Sequence, residues 1–168
     1  MLAAFTLIHV LISLIGIVTG FVVVFGMIEG KQLDRWTAWF LGTTVATSVT
    51  GYFFPVHHIM PSHIVGAISL VVLAVAIFSR YKRHMTGGWR RTYVISAVVA
   101  LYFNVFVLVV QLFQKVPALK AMAPTQSEPP FAIAQLIVLV LFVGLGIAAA
   151  KKFGQGELPR VVAATKSA

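Results

Sequence analysis

Residues 2–28 read LAAFTLIHVLISLIGIVTGFVVVFGMI, twenty-seven positions without one Asp, Glu, Lys or Arg. A helix that crosses a bilayer needs about 20 mostly apolar residues. As a helix this run would extend about 40 Å, against a hydrocarbon core of about 30 Å. It lacks a basic leading segment and exceeds the roughly 7–15 apolar residues of a signal peptide. It is therefore expected to stay in the mature chain as a membrane span that tilts or protrudes.

Similar runs follow at residues 36–54, 63–79, 92–113 and 131–150. Pro61 and Ser62 make a boundary and an N-cap for the third. Of 168 residues, 60% are hydrophobic and 10% charged, against roughly 45–50% and about 25% in a soluble domain. That balance excludes an ordinary cytosolic enzyme, a disordered chain and a nucleic-acid-binding module. The expected fold is all-α, a polytopic bundle of five transmembrane helices over residues 1–150, with a basic tail at 151–168. The chain has no cysteine, which removes disulfides, thiolate metal sites and cysteine nucleophiles. No internal repeat supports an inverted-repeat transporter.

Lysine and arginine placement sets the expected orientation. Lys31, Arg35, Arg80, Lys82, Arg83, Arg90, Arg91, Lys151, Lys152, Arg160 and Lys166 fall on one side, and only Lys115 and Lys120 on the other. The N-terminus is expected outside and the C-terminus in the cytoplasm, in a bacterial inner membrane. The basic residues then read as topology signals that meet anionic lipid headgroups, and no nucleic acid is needed to explain the net charge of +9. Loops 29–35 and 80–91 face inward, loops 55–62 and 114–130 outward. The last holds Pro117, Pro124, Pro129 and Pro130 and is expected to be extended or turned.

Polar groups at membrane depth each need a reason. Four of the five histidines fall toward the outer face: His9 in the first span, His57 and His58 after the second, and His63 at the start of the third. His84 lies in the basic inner loop. His9 sits about 10 Å along its helix, but protrusion of that long helix would raise it to the level of the others. His9, Ser13, Gly16 and Gly20 share one stripe, and His63 shares a face with Gly66 and Ala67. An imidazole above small residues leaves a flat recess that suits a porphyrin. His9 and His63 are the expected axial pair for a haem b, with His58 as substitute, and Gly16 and Gly66 would make room for the ring. The same stripe, with Gly16 and Gly20 as a GxxxG pair, also serves close helix packing without a cofactor.

A second metal chemistry is copper, held by His57, His58, His63 and the Met60 thioether. Asn104, Gln111 and Gln135 place amides in the outer half, where they suit a quinone carbonyl or bonds between helices. The hydroxyls of Thr43, Thr44, Thr47, Ser48 and Thr50 are expected to bond back to carbonyls of their own helix.

Five spans at this length look like the translocator proteins, whose Pro-Pro-x-Trp signature this chain lacks. A bundle with outer-face histidines resembles, in layout alone, the small di-haem cytochrome b membrane subunits. Their histidine pairs at two depths are missing, and no site residue carries over. Two functions follow as expectations. One is a redox protein that binds haem b, or copper, and exchanges electrons with the quinone pool. The other is a cofactor-free accessory subunit of a larger membrane complex or homo-oligomer, or a small-solute channel or transporter.

Overall fold

In the computed structural model, residues 2–54 and 61–153 are described. Among them every regular element is helical: α1 Leu2–Ile28, α2 Asp34–Gly51, α3 Pro61–Ile77, α4 Trp89–Lys115, α5 Pro117–Met122 and α6 Pro129–Lys152. Four segments are long and apolar enough to cross a membrane: Ala3–Ile28, His63–Lys82, Trp89–Lys115 and Pro129–Lys152. That is the mark of an integral membrane protein. The helix α2 is the exception, because threonine and serine replace aliphatic residues along it.

α1 begins and ends where its apolar run does. α4 and α6 run past their apolar runs at both ends, and α6 continues through Lys151 and Lys152 before the basic tail. Beyond residue 153 that tail lies outside the described residues. The loop 114–130, expected to be extended or turned, contains the short helix α5. Pro117 stands at its first position, where a missing N–H has no consequence.

α1 and α2 form an antiparallel hairpin with a close, continuous seam. Near one end, His9 Nδ1 lies 2.8 Å from Thr50 Oγ1. A Cβ at Gly16 would stand 3.1 Å from Thr43 Oγ1 and 3.3 Å from Thr44 Oγ1. One turn on, a Cβ at Gly20 would stand 2.9 Å from the Phe40 ring and 2.5 Å from Leu101 Cδ1 of α4. At the hairpin base, a Cβ at Gly26 would meet Leu33 Cδ1 at 2.5 Å. The glycine stripe therefore seats α2 and α4 against α1, which is the close-packing role of such residues.

Around this seam Val24, Met27, Phe40, Leu73, Tyr93 and Leu101 form the buried core. α6 packs on α1 and α4, with the Phe142 ring 5.9 Å from that of Phe21 and 5.7 Å from that of Tyr102. Its other face is exposed from Ile133 to Ile147.

The loop 80–91 is more ordered than a solvated basic loop. A π-helical turn, Phe78–Lys82, extends α3, and Arg80 within it is buried. Its guanidinium pairs with Asp34 at the start of α2, lies 5.1 Å from the Tyr93 ring centroid and donates to Met85 Sδ at 3.7 Å. His84, by contrast, is exposed, with a left-handed φ of 49°.

Candidate ligand cavity

The four helices α1 to α4 pack tightly at the Asp34 and Arg80 end and part toward the other. Between them lies a cavity of about 450 Å³, within the usual range of small-molecule sites, about 300–1,000 Å³. Its walls are mostly apolar: Val10 and Leu14 from α1, Val65 from α3, and Phe103, Val107, Leu108 and Leu112 from α4.

Polar groups enter the cavity at two levels. At its inner end, Asn104 Nδ2 donates to Thr44 Oγ1 at 3.1 Å, and Ser48 Oγ lies 3.5 Å from Ser69 Oγ. Thr47 lines the wall nearby, and its Oγ1 is buried without a hydrogen-bond partner among the described residues. Toward the wide end stand His9, Tyr52, His63, Gln111 and Lys115. Among the described residues no Asp or Glu lines the cavity.

His9 is held by two neighbours. Thr50 Oγ1 lies 2.8 Å from its Nδ1, and the Phe54 ring meets it edge-on at 5.1 Å. Tyr52 reaches over from the end of α2, and its hydroxyl donates to the His63 carbonyl oxygen at 2.7 Å. The same phenol covers Gly66, where a Cβ would stand 3.3 Å from its oxygen.

The helix-2 hydroxyls divide. Thr43 and Thr50 bond back to Trp39 and Ala46 carbonyl oxygens at 2.6 and 2.7 Å, as their helix setting favours. Thr44 instead receives Asn104, and Thr47 has no partner among the described residues.

The chain matches no known family model, no curated protein and no solved structure.

Of the residues singled out from the sequence, His9, His63, Gly66 and Gln111 line one cavity. Gly16 does not line it. The face of Gly16 is taken by Thr43, Thr44 and the Asn104 amide. Gln135 lies elsewhere, on the α4–α6 contact, where its Nε2 donates to the Phe106 carbonyl oxygen at 3.2 Å. His57, His58 and Met60 lie outside the described residues. Among the described residues no three His, Asp or Glu side chains gather as a metal site. The sequence reading gave Thr47 and Thr50 only bonds within their own helix and did not single out Tyr52. Lys115 carried a legible signal, as one of two cations on the side expected to face outward.

Proposed function

We propose that this chain is a five-span membrane protein that takes a lipid-soluble, single-ring ligand of the quinone class into the cavity between α1 and α4. The observation that carries the reading is the cavity itself, mostly apolar and lined by a few polar side chains that include His9, Asn104 and Gln111. Gln111 has no hydrogen-bond partner among the described residues and offers an amide nearer the mouth. Apolar walls with a few convergent polar groups are the usual composition of a site for such a molecule.

In this reading α2, which lies beside α1 from Gly26 to His9, is the fifth span despite its hydroxyls. The lysine and arginine bias then puts the N-terminus of α1 and the cavity mouth on the outer side of an inner membrane. Lipid quinones reach such a mouth from within the bilayer.

Haem b is the second reading, because His9 and His63 face one cavity from different helices. The residues fit a porphyrin less well than a smaller ring. The recess expected beside Gly66 is covered by the Tyr52 phenol, and that beside Gly16 by threonine hydroxyls.

The test is a thermal melt of the detergent-purified protein titrated with a short-chain ubiquinone analogue, with an absorption spectrum taken beforehand. A saturable rise in melting temperature that Gln111→Leu weakens is the expected result. No rise with any quinone overturns the reading. Sharp α and Soret bands transfer the cavity to haem.

A further inference from the structure

The contact between His9 and Thr50 fixes more than a side-chain position. Thr50 Oγ1 lies 2.7 Å from the Ala46 carbonyl oxygen and 2.8 Å from His9 Nδ1. Each of these separations is hydrogen-bond length and needs a proton between the two atoms. Two oxygens at 2.7 Å with only lone pairs between them would repel. The Ala46 carbonyl has no proton to give, so the Thr50 hydroxyl directs its single proton there. Toward His9 the same oxygen has only lone pairs left, and the proton on that side belongs to the imidazole.

We infer that Thr50 is a positioning residue that holds neutral His9 as its Nδ1–H tautomer, making Nε2 a hydrogen-bond acceptor and the cavity selective for a ring that carries a donor hydroxyl, a hydroquinone over its quinone. Among the described residues nothing bonds to Nε2. A neutral imidazole has one donor and one acceptor nitrogen, and the partner of the first assigns the second. With Nδ1–H committed to Thr50, the remaining nitrogen accepts a phenolic O–H and offers nothing to a carbonyl. This rests on the cavity reading above. It adds which redox form of the ligand the site prefers and which residue sets that preference.

The experiment uses the full chain in detergent micelles with ¹⁵N-labelled histidine. Long-range ¹H–¹⁵N correlation at about pH 8, well above an ordinary histidine pKa near 6.5, reports which ring nitrogen carries the proton. His9→Gln assigns the signal. Binding of a short-chain ubiquinol and of its ubiquinone is then compared, the quinol under anaerobic conditions. The expected result is a protonated Nδ1 on His9 and binding of the quinol about tenfold tighter than the quinone, the effect of one hydrogen bond. Thr50→Val, which cannot accept, loses both the single tautomer and the preference. Thr50→Ser keeps both and controls for folding. A protonated Nε2 on His9, or equal affinity for the two forms, overturns the inference. Binding of neither form overturns the cavity reading and this inference with it, and the tautomer spectrum then shows whether the Thr50 argument had failed as well.

Discussion

Asn104 on α4 donates its amide to Thr44 Oγ1 on α2 at 3.1 Å, directly over the bare Cα of Gly16 on α1. Three helices thus meet at one polar point, and the cavity ends there. Asn104→Ala is expected to lower unfolding stability by about 1 kcal/mol, the scale of an interhelical hydrogen bond in a membrane protein. Denaturation in mixed micelles measures it. A change indistinguishable from zero removes the bond from the account of what closes the cavity.

Two glycines separate packing from propensity. At Gly20 an added methyl would lie 2.5 Å from Leu101 Cδ1 and 2.9 Å from the fully buried Phe40 ring. At Gly144 on the exposed side of α6 it would meet nothing within 4 Å. Gly20→Ala should destabilise by roughly 1–3 kcal/mol. Gly144→Ala should be neutral or stabilise by up to about 1 kcal/mol, since alanine is the better helix former. Equal melting temperatures for the two variants contradict the seam described for α1.

Arg80 is buried and Asp34 is largely exposed, with side-chain accessibilities of 5% and 81%. Removing the carboxylate strands a desolvated cation, whereas removing both charges does not. Asp34→Asn is expected to destabilise by about 1–3 kcal/mol, and adding Arg80→Met should recover part of that loss. A double-mutant cycle from thermal melts reads the coupling. Additive losses would mean that the pair contributes nothing.

The chain has no native cysteine, so single cysteines report topology without interference. Ala121→Cys in α5 and Thr86→Cys in the inner loop both replace exposed residues. In intact bacterial cells a membrane-impermeant maleimide should label the first and spare the second until the cells are lysed. The reverse pattern overturns the orientation, and labelling of both before lysis overturns the crossing by α4.

Glu128 sits just before α6, outside the spans. Desolvation pushes its pKa upward. Hydrogen bonds from the Thr125 hydroxyl and from backbone N–H groups outweigh that and hold the carboxyl below its ordinary value. A carboxylate depressed in the folded state contributes order above its unfolded pKa and loses it as pH falls through the folded value. The Thr125 and Ser127 amide resonances should therefore shift together, with a midpoint below that of an ordinary glutamate. Glu128→Gln should abolish the titration. A midpoint at or above the ordinary value contradicts the bonding seen here.

Much of this architecture is legible in the sequence because the bilayer imposes so simple a rule. The apolar run that opens the chain becomes α1 without loss or gain, since charge and glycine follow at once in Glu29 and Gly30. His9, His63 and Gln111 reach one cavity because depth along a helix follows from counting residues. What counting does not give is rotation and neighbour. Gly16 and Gly66 both read as room for a ring, yet threonines occupy one face and Tyr52 the other. Thr43, Thr44, Thr47 and Thr50 look alike in sequence and have three different fates, decided by Asn104 and His9 on other helices. Arg80 reads as a loop cation because nothing local announces the π-helical turn that carries it inward.

The hairpin of α1 and α2 has a consequence for how the chain enters the membrane. α2 alone, with its row of hydroxyls and an aspartate at its start, partitions poorly into lipid. Its partner α1 offers glycines at positions 16, 20 and 26, and only residues 29–33 separate the two. On the five-span reading, the two helices are suited to insert as one unit, α2 folding against α1 as it enters. Lengthening the 29–33 turn would then reduce the yield of inserted protein even where the finished bundle is no less stable.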